Sequence, residues 1–329
     1  MLTIEASHIY FGGGYTLLCQ ILEYLEQEKT KTKVYISYDE VYNDIYKKNY
    51  SYIEVIKTTT LKTFTRYCRK RRNILFFCNL PPFIKNQKSI TYFHNIYFLD
   101  RPKLQKKYIK EFIYFYWVKY FSKNTDVLAC QTLFVRRKLE HFSKTVMLLP
   151  FFDTLKSNNT PKIYDFCYVG SAKPHKNYTT LLDSVELLLK KHSFKIAVTI
   201  EENLENKPTI NRIQDINQKA KKEVITNYGL LNKHEIIDIY SKSNALIFPS
   251  LKESFGLPII EALMCDLMVL SSDLPFSYEL INEPIVFDPY DKHSITQIMS
   301  NFLKGQYNHV KQYSIVENKL DQLIQILKN

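Results

Sequence analysis

Short apolar runs and longer stretches of helical period alternate along the whole chain. In the first half, LTIEASHI, KVYIS, YIEVI, NILFFC, SITYF, DVLAC and TVMLLP read as strands. YTLLCQILEYLEQ, TFTRYCRKRR, LQKKYIKEFIYFYWVKYF and TLFVRRKLEHF read as helices between them. In the second half, FCYVG, KIAVTI, EVITNYG, ALIFPS, MVLSS and PIVFDP alternate in the same way with YTTLLDSVELLLKK, NRIQDINQKAKK, KHEIIDIYSKS, LPIIEALM and SITQIMSNFL. Strands that are apolar throughout and separated by helices imply parallel sheets covered on both faces, hence two doubly wound, Rossmann-like α/β domains. TVMLLPFFD reads as a strand entering a proline-marked crossover, which sets a first domain at 1–150 and a second at 151–310. The remainder, 311–329, holds a closing amphipathic helix, IVENKLDQLIQILK, free to pack back on the first domain. Ligands of such folds sit beyond the carboxyl ends of strands, so the two domains are expected to face a cleft that holds the site.

Composition narrows the class. A chain of 329 residues, 45% hydrophobic and 24% charged, is long enough for two cores and unlike disordered, collagen-like or disulfide-scaffold chains. No apolar run approaches the ~18 residues of a spanning helix, and MLTIEASHIYFGGG lacks the features of a signal peptide, so a cytoplasmic location is expected. The cysteines Cys19, Cys68, Cys78, Cys130, Cys167 and Cys265 form no CxxC pair, and reduced, buried thiols are expected. Charge is uneven: residues 1–150 hold 25 Lys+Arg against 12 Asp+Glu, a net of +13, whereas the rest is at −1. The first half should therefore face something anionic: nucleic acid, an acidic bilayer or a phosphorylated substrate.

Seven glycines mark where the backbone needs freedom. Gly12, Gly13 and Gly14 follow the first strand and precede the first helix, where bare backbone lets amides approach an anion at a helix N-terminus. Gly170 ends a strand and leads into SAKPHKNYTT, placing Lys173, His175 and Lys176 around a helix start near Asn177, a candidate diphosphate cradle. Gly256 lies in PSLKESFGLPIIEALM. There Pro258 suits the first helical turn, and the amides of Phe255, Gly256 and Leu257 are donors at a helix N-terminus. Glu253 precedes them and Glu261 follows in an apolar context, where an unpartnered carboxylate is costly. Amide donors between two carboxylates suit a polyhydroxylated, phosphorylated ligand. Neither GxGxxG nor GxxxxGK[ST] occurs, so a nicotinamide dinucleotide or a P-loop nucleotide is not indicated.

The run from Glu253 to Glu261 resembles the E-x7-E signature of retaining glycosyltransferases of the GT-B fold, in the large class called family 4. FCYVGSAKPHKNYTTLL, NYGLLNKHEIIDIYSKSNALIFPS and IVFDPYD are similar to further segments of that family. In the first half the likeness is confined to the glycine loop and to His94 in TYFHNIYFLD. The resemblance implies that Glu253 binds hydroxyls of the transferred sugar, Glu261 the nucleotide ribose, and Lys176 with Lys173 or His175 the diphosphate. It implies further that the amides of Phe255, Gly256 and Leu257 hold sugar and phosphate oxygens, that Gly13 and Gly14 back the diphosphate, and that His94 sits beside the reacting carbon. Ser171 stands where many members carry Arg, and Asp266 where the family has a helix-ending glycine, a left-handed position that Asp fills at some cost. No Asp-x-Asp is present to hold Mg²⁺ or Mn²⁺ against a diphosphate, so neither metal nor other cofactor is expected.

The resemblance implies transfer of a sugar, with retention, from a nucleotide-diphosphate sugar to a glycan or lipid-diphosphate-linked acceptor. The resemblance places such an enzyme in bacterial cell-surface polysaccharide synthesis: O-antigen, capsule or lipopolysaccharide. The helix LQKKYIKEFIYFYWVKYF, with Lys103, Lys106, Lys107 and Lys110 at one end and Leu104, Tyr108, Phe112, Phe115 and Trp117 beyond, has the profile of a helix lying on an anionic membrane. Arg66, Arg69, Lys70, Arg71 and Arg72 add to that field, giving a peripheral protein of the inner membrane face; the same apolar positions also suit a face packed on the sheet. A non-catalytic GT-B-like subunit that binds a partner enzyme is the alternative. Nucleic-acid binding is not expected, because no RNP1, helix-turn-helix or zinc-finger pattern is readable.

Overall fold

The computed structural model describes residues 1–96, 99–100 and 109–328. The chain divides into two compact units, Met1–Asp153 with Glu317–Asn329, and Thr154–Val316. In unit 1 the strands are β1 (Leu2–Glu5), β2 (Thr32–Ile36), β3 (Ile53–Lys57), β4 (Arg72–Phe76), β5 (Gln87–Phe93), β6 (Val127–Cys130) and β7 (Val146–Leu148). They form one sheet in the order β3-β2-β1-β4-β5-β6-β7, all pairs parallel. Its helices are α1 (Gly13–Gln27), α2 (Asp39–Lys47), α3 (Thr60–Tyr67), α4 (Ile109–Phe121) and α5 (Leu133–Leu139). Central strands β1 and β6 are buried at every residue, as a sheet covered on both faces requires.

Unit 2 repeats the plan. Its strands β8 (Tyr164–Tyr168), β9 (Ile196–Val198), β10 (Ile225–Asn227), β11 (Ser243–Phe248), β12 (Met268–Ser272) and β13 (Ile285–Phe287) run parallel in the order β10-β9-β8-β11-β12-β13. The helices are α6 (Tyr178–Leu188), α7 (Lys207–Ala220), α8 (Lys233–Ser241), α9 (Leu257–Met264), α10 (Pro275–Leu280) and α11 (Lys292–Leu303). The last helix, α12 (Leu320–Lys328), returns to unit 1. It buries Leu320, Leu323, Ile324 and Leu327 and packs beside β4 and β5, and the Lys319 amide donates to Pro150 O at 2.7 Å just before it.

Two helices escape the sequence pattern. α2 buries only Val41 and Ile45, and its Tyr42 and Tyr46 stack on each other at 5.5 Å, so its apolar stripe is too short to register. α10 has six residues, too few for a helical period.

Two residues assigned to a basic or membrane-facing surface lie elsewhere. Arg66 is buried: its guanidinium grips the Glu5 carboxylate at 2.6 and 3.2 Å, donates to Thr58 and Thr63, and lies over the Tyr35 ring. Glu5 is 61 residues earlier, and a charge this deep needs such a partner. Trp117 donates from Nε1 to Pro81 O at 2.7 Å and stacks on Phe83 at 4.4 Å, so its ring belongs to the core of unit 1. Elsewhere on α4, Ile109, Lys110, Ile113, Lys119 and Tyr120 are exposed. Lys103, Leu104, Lys106, Lys107 and Tyr108 lie outside the described residues.

Candidate functional site

In unit 2 the strand order reverses between β8 and β11, which are neighbours in the sheet although two strands separate them in sequence. Chains leaving a sheet in opposite directions open a crevice at their carboxyl ends, and the loops after these two strands carry Lys176 and Glu253. The Lys176 Nζ donates to Glu253 Oε1 at 2.6 Å, with side chains only 13% and 12% exposed. The Ser250 hydroxyl, fully buried, lies 2.6 Å from the same oxygen and 3.1 Å from His175 O. It carries one proton, and the shorter, charge-assisted contact takes it.

Hydrogen bonds to main-chain carbonyls fix this geometry. The Leu251 amide donates to His175 O at 2.8 Å, and the Tyr168 hydroxyl to Lys176 O at 2.7 Å. Asn177 takes a left-handed conformation (φ 60°), and its amide nitrogen donates to Pro249 O and Pro289 O, tying the loop to the ends of neighbouring strands. Burial and then the Lys176 charge hold the His175 imidazole below its ordinary pKa, only partly offset by Glu253. That favours the uncharged ring, and the standing cations of this loop are Lys173, exposed, and Lys176.

The next helix supplies the second carboxylate. Gly256 precedes α9 with φ 98°, a conformation other residues resist, and a Cβ there would sit 3.1 Å from Leu280. The amides of Gly256 and Leu257 thus stand at the start of α9, with Pro258 in its first turn and Phe255 buried before it. Glu261, one turn in, accepts from the buried Tyr240 hydroxyl at 3.0 Å. After α9, Asp266 occupies the left-handed position (φ 57°), and the Leu267 amide closes the helix on Ala262 O.

In unit 1 the reversal falls between β1 and β4. Gly12 (φ 129°) precedes α1, whose first turn carries Gly13 and Gly14. A Cβ on Gly13 would meet nothing within 4 Å, whereas one on Gly14 would lie 2.9 Å from His94 Cε1. His94, just past β5, packs its ring on Phe77 at 5.0 Å. Desolvation pushes its pKa down to about 4, against an upward pull from the main-chain carbonyls of Phe77 and of His94 itself. It is neutral at pH 7.

The structure therefore joins Lys176 to Glu253 and Gly14 to His94, and sets Glu261 on the helix that Gly256 and Leu257 begin. Tyr240, Ser250, Asn177 and Asn79, whose side-chain oxygen accepts from the His94 amide, hold these groups and were not readable as partners in the sequence. The available signal was Asn177, Tyr240 and Ser250 lying inside segments that resemble the family.

Two parallel doubly wound sheets with these strand-end loops make the fold that of the GT-B glycosyltransferases. Residues 152–319, about half the chain, match the family described as glycosyl transferases group 1, and the chain belongs to that family. The serotype-specific mannosyltransferase WbdA of Escherichia coli is 27% identical over 154 residues, covering 44% of this chain and 18% of WbdA. The O-antigen chain mannosyltransferase RfbU of Salmonella typhimurium is 28% identical over 144 residues, 41% of this chain and 37% of RfbU. The match thus spans well under half of either relative. Among solved structures, WaaG, a glycosyltransferase involved in lipopolysaccharide biosynthesis, superposes with a TM-score of 0.69 at 12% identity over 100% of both chains. HepE of Anabaena, solved with UDP and glucose, gives 0.69 at 11% identity over 99% of this chain and 95% of its own.

Proposed function

We propose that this protein is a retaining glycosyltransferase that moves a sugar from a nucleotide-diphosphate sugar to a glycan or lipid-diphosphate-linked acceptor in bacterial surface-polysaccharide synthesis. The observation that carries the reading is the Lys176–Glu253 pair at the strand-order reversal of unit 2, beside the start of α9. When the bond from the sugar's anomeric carbon to the diphosphate breaks, negative charge develops on the leaving nucleoside diphosphate. Lys176, Lys173 and the amides of Phe255, Gly256 and Leu257 stabilise it where it forms, which needs no metal. Glu253 accepts from sugar hydroxyls and Glu261 from the ribose, Tyr240 fixing the Glu261 carboxylate. Gly13 and Gly14 back the diphosphate, and His94 attends the reacting carbon as a neutral imidazole. WbdA and RfbU are named mannosyltransferases, which makes mannosyl donors the first to try.

The test is a thermal-shift panel of UDP, GDP, CDP, dTDP and ADP without metal, on the wild type and on Glu261→Ala. A nucleotide at ~100 times its dissociation constant stabilises by about 2.7 kcal/mol. One nucleotide is expected to raise the melting temperature of the wild type and to do so much less in the variant. No response to any of them, together with no turnover of their sugars, would favour a non-catalytic subunit.

The acceptor side of the proposal is a peripheral position on the anionic inner face of the cytoplasmic membrane. Among the described residues no helix is long and apolar enough to cross a membrane. The exposed Ile109, Ile113 and Tyr120 beside Lys110 and Lys119, in a half of net charge +13, support adsorption to an anionic surface. Flotation with anionic but not with neutral liposomes at low salt is expected, and no binding to either would sink this part.

A further inference from the structure

Asn79 lies three residues beyond β4, buried and left-handed (φ 61°), beside His94. Its Oδ1 accepts from the backbone amides of His94 and Asn95 at 2.8 and 2.9 Å. Two N–H donors on one atom fix which end of the amide is oxygen, so the other end is the NH2 group. That group lies 3.1 Å from His94 Nε2. Phe77 O lies 3.3 Å from the same nitrogen, and the two neighbours demand opposite roles of it. The amide contact is shorter and cannot be reversed without setting an NH2 against two N–H groups. Nε2 therefore accepts, and the proton of the neutral ring stays on Nδ1. The Cε1–Nδ1 edge is the one that lies against Gly14.

We infer that Asn79 is a positioning residue that fixes the tautomer of His94, keeping the ring as an Nδ1–H donor beside the glycine loop. The donor's counterpart is a sugar or phosphate oxygen, a role that rests on the reading of His94 as a group attending the transferred sugar. Losing the tautomer places a lone pair where the ligand oxygen needs a proton, which weakens the interaction without removing the side chain.

The wild type tests the assignment without any mutation. In the ¹⁵N-labelled full chain, long-range ¹H–¹⁵N spectra, with His94 assigned by its loss in His94→Gln, are expected to show Nδ1 protonated and Nε2 bare. The reverse pattern overturns the proposal. Asn79→Asp keeps the left-handed backbone accessible and the two amide bonds, but turns an oxygen toward Nε2. At alkaline pH its ring is expected to carry the proton on Nε2, with kcat for nucleotide-sugar turnover falling about 10- to 100-fold, the scale of one lost hydrogen bond to a charged group, and donor KM little changed. An unchanged kcat with the tautomer reversed, or an unchanged tautomer, overturns the positioning role. If Asn79→Asp fails to fold, the wild-type spectrum still decides. Absence of turnover in the wild type counts against the proposed reaction and leaves the tautomer arm intact.

Discussion

The two units share one topology yet arm their strand-order reversals with opposite chemistry. In unit 2, drawn wholly from the half of net charge −1, the reversal holds an ion pair, Lys176 with Glu253, and a second carboxylate, Glu261. In unit 1, drawn mostly from the half of net charge +13, the reversal holds glycines and, beside them, a histidine kept uncharged by burial. Glu5, which ends β1, is paired with Arg66, and that pair is sealed in the core. A domain's net charge thus reports what its surface attracts at a distance. Which charges act at short range depends on which of them folding pairs off.

The contrast can be broken most strongly at the sealed pair. Arg66→Ala leaves the Glu5 carboxylate buried without its partner and should lower stability by about 3–5 kcal/mol in urea unfolding, whereas Arg69→Ala should change little. An effect under about 1 kcal/mol would mean that Glu5 is hydrated and the pair not sealed. Next in size, Lys176→Ala should lower nucleotide-sugar turnover about 10²–10³-fold, the scale of losing a group aimed at developing charge. An unimpaired rate would remove the ionic role from unit 2.

His94 supplies a sharper test through pH. Its pKa in the folded chain, about 4, is below the unfolded value of 6.5, so between them the unfolded chain binds the extra proton. Its contribution to stability is full above pH 6.5, declines as pH falls and is gone below about 4. Relative to His94→Gln, the wild type should lose about 1–2 kcal/mol across that window, discounted for the ring's partial contact with solvent. Parallel stability curves for the two proteins would mean that the ring titrates normally. The smallest expected effect is that of Tyr240→Phe, which removes one hydrogen bond to Glu261 and should weaken nucleoside diphosphate binding by about 1 kcal/mol in calorimetry, the protein staying folded.

Much of the frame was legible because it is written in local periodicity. All the strands expected from apolar runs are present, and the glycine loops fall after β1, after β8 and before α9. Glu253, Gly256 and Glu261 were readable because one loop and one helix carry all three within nine residues. The apolar stripe of α4 was visible, but not which of its aromatic residues turn inward; Trp117 does so because Pro81 offers its indole an acceptor. Arg66 read as one more cation in a basic run, since nothing local marks a partner 61 residues away. Asn79 carried no signal beyond being an Asn after a strand.

The sequence by itself determined the element order, the parallel two-sheet plan and the loops where ligand chemistry gathers, because alternation, helical period and glycine placement act between near neighbours in the chain. The tertiary structure decided which polar groups meet: Lys176 with Glu253 across 77 residues, Tyr240 with Glu261 across 21, and Asn79 with His94 across 15. These pairings set charge state, tautomer and aim. They form only when separate strands end side by side, and a buried polar group is then held by whichever partner the fold delivers.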